Sequence, residues 1–153
     1  MYRTMFVPAV AATALLWSAG FATAQQFGTA AEAKAMLDRA VTEMKAGEGA
    51  AIAKFNDKDN KAFRDRDLYV FCYTMSDGKF TAHPNAKLMD TDVRMLKVKD
   101  DPLGERIFKA IKPNEINTVA YNFPKPGTTE PAVPKESYVT QVGNQGCGVG
   151  YYK

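Results

Sequence analysis

Histidine and cysteine are scarce in this chain. It holds one histidine, His83, and two cysteines, Cys72 and Cys147, among 153 residues. A single imidazole leaves no His cluster for a metal. A Ser-His or Cys-His pair would need its nucleophile brought to His83 from elsewhere in the fold. No Gly-x-Ser-x-Gly elbow, phosphate loop or zinc spacing occurs, so no catalytic residue, metal ligand or cofactor is assigned. Asp57 and Asp59 resemble the start of a calcium loop, but the glycine at the sixth place and the acid at the twelfth are missing. The two cysteines are too far apart in sequence for a C-x-x-C redox or haem motif. Charge of one sign is also lacking: 20 Lys and Arg stand against 17 Asp and Glu, scattered along the chain, which points away from nucleic acid.

What is present begins with a leader. Arg3 supplies a positive start, residues 5–16 are almost wholly apolar, and Ala22-Thr23-Ala24 fits a small-x-small cleavage site. Residues 1–24 therefore read as a signal peptide. A retained membrane anchor is the competing reading, since the apolar stretch could span a bilayer at a pinch. No second apolar run of spanning length follows. Residues 25–153 suit one domain with one core, in the periplasm or secreted. An even cysteine count in an exported chain favours one disulfide between Cys72 and Cys147, against two buried free thiols.

The pattern of the remainder predicts an α+β fold. Thr29 with Glu32 forms a capping box, and Ala33, Met36, Leu37, Ala40, Val41 and Met44 follow at helical spacing up to Gly47. A short helix over 50–55 and a solvated turn come next. Residues 68–73 are apolar or aromatic on both alternating faces, as in a central strand covered on both sides. Ser76-Asp77-Gly78 turns it into a second strand over 79–83. A loop with short helical content (84–100) leads to a helix opening at Asp101-Pro102, whose buried stripe is Leu103, Ile107, Phe108 and Ile111. A third strand covers 117–123. Pro124, Pro126, Gly127, Pro131 and Pro134 predict a loop, and strands over 135–142 and 147–152 complete a five-stranded, antiparallel-rich sheet with the long N-terminal helix across one face.

The run Asp67-Leu68-Tyr69-Val70-Phe71-Cys72-Tyr73, then Asp77-Gly78 and His83-Pro84-Asn85, resembles the opening of single Cache domains of the second type. Val119-Ala120-Tyr121-Asn122-Phe123-Pro124, Pro134-Lys135-Glu136-Ser137-Tyr138-Val139 and Gly146-Cys147-Gly148-Val149-Gly150-Tyr151 agree with its closing half. The resemblance covers residues 29–153. It implies a PAS-like extracytoplasmic sheet, found in the sensing parts of chemoreceptors and sensor kinases, with a pocket for a short organic acid between sheet and overlying loops. It also implies that the first and last strands are central neighbours, which brings Cys72 beside Cys147. Family receptors continue into a membrane helix and a cytoplasmic module, whereas this sequence stops at Lys153. The expectation is a small-molecule-binding domain without its own output, with a membrane receptor or sensor kinase as partner and a homodimer through the long helix as a further option. The alternative is an accessory domain that docks on a membrane sensor or envelope complex and takes no small ligand.

Candidate ligand-binding residues follow from chemistry. Lys135 opens a predicted central strand, where its ammonium either pairs with a ligand carboxylate or snorkels to the rim. His83 either donates to a ligand or holds a loop. Phe71 and Tyr73, with Tyr69, share one strand face, as do Tyr121 and Phe123; they form pocket walls or ordinary core. Arg94 either closes over a carboxylate with its fork of donors or sits on the surface. Ser137 and Tyr138 alternate, so at most one of them lines the pocket.

Overall fold

Thr29 caps helix α1 (Ala30–Ala46) by accepting from Glu32 N, while the Glu32 carboxylate accepts from Thr29 N at 2.7 Å. The capping box thus forms as the sequence requires. The computed structural model describes residues 26–129 and 131–153, so the leader expected over 1–24 lies outside the described residues. Ala33, Met36, Leu37, Ala40 and Met44 make the buried stripe of α1. Gly47 closes α1, and α2 (Glu48–Asn56) buries Ala51 and Phe55.

Six strands follow, one more than expected. The extra strand is β1 (Arg64–Asp65), which pairs with the start of β2 (Leu68–Thr74) through Arg64–Tyr69 and Asp65–Leu68. Two residues are too few to show a period, which is why the pattern hid it. β3 (Phe80–Ala82) pairs with β2 beyond a bulge at Cys72 and Tyr73. Short 3-10 turns at Ala86–Leu88 and Val93–Met95 fill the loop, and α3 (Leu103–Ala110) follows. β4 (Asn117–Pro124), β5 (Ala132–Val142) and β6 (Gln145–Tyr152) form the antiparallel meander. The order is β1-β2-β6-β5-β4, with β3 also on β2. β5 starts three residues before the expected boundary and runs through Pro134. The Pro134 carbonyl accepts from Lys153 N at 3.0 Å, so its missing N–H falls on the outermost rung, past the end of β6 at Tyr152.

β2, the strand expected to come first, and the last strand β6 are neighbours, and Cys72 stands directly opposite Cys147. They form a disulfide with Cα atoms 4.2 Å apart. The bridge closes a loop of 75 residues, for which chain entropy predicts stabilisation of about 4 kcal/mol.

Both faces of the sheet are covered. Leu68, Val70, Cys72, Cys147 and Val149 pack under α1 and α2. On the other face Phe71, Tyr73, Phe80, Val119 and Val139 pack under α3 and the Val93–Met95 turn. The period-two alternation of β2 sends its aromatic residues to this second face. The candidate site lies there.

Candidate functional site

Lys135 comes from β5, between β4 and β6, opposite Tyr121 on one side and Tyr152 on the other. It is 2 % exposed. Its Nζ lies 4.5 Å from the Tyr152 ring centroid, 4.8 Å from Tyr69 and 5.5 Å from Phe123. A long contact of 3.5 Å links Nζ to the Tyr69 hydroxyl. No carboxylate among the described residues reaches ion-pair distance of it. Three ring faces stabilise a desolvated ammonium by about 2 kcal/mol, well short of what removing it from water costs. Burial accordingly pushes the lysine down to about 8, against a partial opposing pull from the Asp67 charge. At neutral pH it remains mostly a cation.

Asp67, itself 4 % exposed, accepts from Gly28 N at 2.6 Å through Oδ1, while its Oδ2 is buried without a partner among the described residues. Tyr121 shares a 2.7 Å hydrogen bond with the Ser137 hydroxyl, and burial raises its phenol above the usual range. Burial does the same to Tyr69, so both hydroxyls stay protonated.

His83 follows β3. Its Nδ1 accepts from Asn85 N at 2.9 Å, which leaves the proton on Nε2 as a donor. Its ring stands edge-on to Tyr69 and Phe80, each at 5.4 Å. Burial first, then the Lys135 charge, lowers it to about 4, so the imidazole is neutral at physiological pH. One nitrogen holds the loop, and the ring lines the inner chamber with its Nε2–H left as a donor.

These groups border two spaces that share Tyr69, His83 and Phe123 as walls. An inner chamber of ≈ 20 Å³ is lined by Lys135, His83, Tyr69, Phe71, Tyr121 and Phe123, with aliphatic groups of α3 above it. That is room for about one water. An outer cleft of ≈ 500 Å³ is shaped by Tyr69, His83, Phe123, Tyr152 and the proline-rich 124–129 segment. Lys135 lines the inner chamber, and the three rings around its ammonium, Tyr69, Phe123 and Tyr152, line the outer cleft.

Four of the seven candidates, Lys135, His83, Phe71 and Tyr121, meet at the inner chamber. The other three do not. Tyr73 is one strand repeat too far along β2; it stacks on Phe108 at 5.7 Å and is core. Arg94 grips the Asp92 carboxylate at 2.6 Å, donates to the Asp77 carbonyl at 3.0 Å and lies 5.2 Å over the Phe108 ring, so its fork braces the hairpin turn. Tyr138 faces the helix side, stacked on Tyr151 at 5.7 Å. Its neighbour Ser137 takes the site face.

Sequence reasoning missed Tyr152 and Gly150. A Cβ at Gly150 would stand 2.6 Å from Ser137 Oγ and 2.7 Å from Lys135 Cε. At Gly148 it would meet the Phe71 ring at 2.5 Å, and at Gly146 the Ile111 Cδ1 at 2.7 Å. Glycine at every second place of β6 empties that face, and neighbouring side chains fill it. Such a period of two is visible in the sequence and marks close approach on one sheet face.

Among the described residues no group of His, Cys, Asp or Glu could hold a metal ion, and no helix is long and apolar enough to cross a membrane. The site offers instead a buried cation and neutral donors, an arrangement that suits an anion.

No curated protein matches the chain. Three solved structures share the fold. A periplasmic sensor domain of a chemotaxis protein is 23% identical, with TM-score 0.58, covering 76% of this chain and 85% of that one. A Cache chemosensory domain described for its carboxylic acid recognition is 23% identical, with TM-score 0.57, covering 76% and 83%. A methyl-accepting chemotaxis protein from Vibrio parahaemolyticus is 23% identical, with TM-score 0.59, covering 80% and 86%. The family model for Single Cache domain 2 matches residues 22–152, and the chain belongs to that family.

Proposed function

We propose that this protein is an exported, periplasmic ligand-binding Cache domain that captures a short organic acid, with the ligand carboxylate paired to Lys135. The carrying observation is the lysine buried to 2 % exposure without a carboxylate partner among the described residues, lining the inner chamber behind rings that line the outer cleft. Its charge costs folding energy, and a ligand anion would offset that cost in a dry site. The Tyr69 hydroxyl and the His83 Nε2–H are neutral donors of the kind that complete a carboxylate's hydrogen bonds. The recognition of carboxylic acids by a Cache domain of the same fold supports the reading. A membrane receptor or sensor kinase would carry the signal onward, and nothing in the site calls for catalysis.

The tightness of the inner chamber favours the alternative, an accessory domain that docks on an envelope protein without a small ligand. The ≈ 500 Å³ cleft over the same rings favours a ligand, whose body it can hold. A thermal-shift screen of the purified protein against short organic acids, amino acids and amines separates the two. A ligand that binds only the folded state must raise Tm with concentration. A rise with acids alone supports the proposal. Silence across the panel would turn the search to protein partners.

A further inference from the structure

A second cation stands at the rim of the outer cleft, over Phe27, where the cleft adjoins a neighbouring space that shares Lys125 and Tyr152. Lys125 follows β4 on the cleft wall and is half-buried. Its Nζ lies 4.3 Å over the Phe27 ring, and no ion-pair partner is found for it among the described residues. Phe27 is 6.0 Å from the Tyr152 ring, and Tyr152 is 4.5 Å from Lys135 Nζ. The two ammonium groups therefore lie no further apart than those three short steps laid end to end. No Asp or Glu among the described residues lines either the chamber or the cleft. Between the two cations the lining is apolar or aromatic, with Phe123, Pro124 and Tyr152 on it.

We infer that the ligand carries two acidic groups: one carboxylate at Lys135, an aliphatic spacer along the rings, and a second carboxylate at Lys125 on the rim. Lys125 is then the specificity-determining residue that separates dicarboxylates from monocarboxylates. The inference rests on the proposed carboxylate site at Lys135. The two contacts differ in kind. The buried one decides whether any acid binds, since its cation is desolvated. The rim contact is solvated and salt-screened, so it adds discrimination of modest size.

Glutarate and valerate test this, because they differ only in a terminal carboxylate against a methyl. Calorimetric titration of the purified protein at low ionic strength should give glutarate binding about fivefold tighter than valerate, the size of a half-exposed ion pair. Lys125→Met keeps the stem over Phe27 and removes the charge; it should bring the ratio of glutarate to valerate affinity to about one. Lys125→Arg should restore the preference. Lys135→Met should abolish both. Equal affinity for the two acids in the unaltered protein, or a preference that survives in Lys125→Met, overturns the inference while leaving the Lys135 site standing. Failure of both acids to bind the unaltered protein overturns the two together.

Discussion

Lys135 and Tyr152 are direct partners across the β5–β6 ladder, and the lysine ammonium sits 4.5 Å from the centre of the tyrosine ring. The register of two central strands thus fixes a cation in an aromatic box. Changes that disturb the register or the box should act on ligand binding first.

Gly150→Ala is such a change. The new methyl would lie 2.7 Å from Lys135 Cε and 2.6 Å from Ser137 Oγ. Overpacking of this kind costs about 1–3 kcal/mol. Tm should fall, and carboxylate affinity should fall with it because the lysine stem must move. Urea unfolding and titration of the same sample check both.

The titration of Lys135 predicts a pH limit. Its folded value near 8 lies below the ordinary 10.5. An acid that pairs with the ammonium binds only the protonated form. Affinity should be level through neutral pH and weaken about tenfold for each pH unit above the lysine's value, in proportion to the competent fraction. The sign for stability is opposite. The unfolded chain holds that proton more tightly, so stability of the ligand-free protein should rise as pH climbs from about 8 toward 10. Lys135→Met should lose both effects.

His83 works in the acid range. Its folded value near 4 lies below the ordinary 6.5, chiefly through burial. The unfolded state therefore takes up the extra proton first, and stability should drop as pH falls from about 6.5 to about 4. Thermal melts of His83→Gln should show a smaller drop across that window.

Reduction of Cys72–Cys147 should separate stability from binding. The bridge faces α1 and α2, whereas the candidate site lies on the opposite sheet face. The Cys72→Ala/Cys147→Ala protein should be less stable, by about 4 kcal/mol in the chain-entropy account, yet bind a carboxylate with affinity close to that of the unaltered protein at temperatures where it is folded. Denaturant midpoints and titration together read this out.

Much of the fold was legible because local signals agreed with one another. The Thr29–Glu32 box, the two-faced apolar run at 68–73 and the turn at Gly78 each stated one element, and each formed. Several boundaries moved by one to three residues, with β6 opening at Gln145 rather than 147 and α2 at Glu48 rather than 50, and two features were hidden outright. β1 is two residues long, and the prolines around 131–134 masked the start of β5, where an unneeded N–H made Pro134 acceptable. The site was legible in its chemistry and only partly in its membership. Alternation showed that Ser137 and Tyr138 oppose each other without showing which faces the helices. Tyr69 and Tyr73 share a face of β2, but only Tyr69 reaches the chamber, because the position of α3 along the strand is a tertiary fact. Arg94 looked free until the Asp92 turn claimed its guanidinium. The glycines at 146, 148 and 150 mark the crowded face by their spacing, a signal the sequence reading passed over.

The most direct measurement is calorimetric titration of the unaltered protein and Lys135→Met with a short carboxylate, alongside their melting temperatures. The unaltered protein should bind. Lys135→Met should not bind, yet should be as stable or more so, because removing an unpaired buried charge in favour of an apolar stem of similar length is neutral to stabilising by about 1–3 kcal/mol. Retention of full affinity in Lys135→Met would contradict a carboxylate site at Lys135.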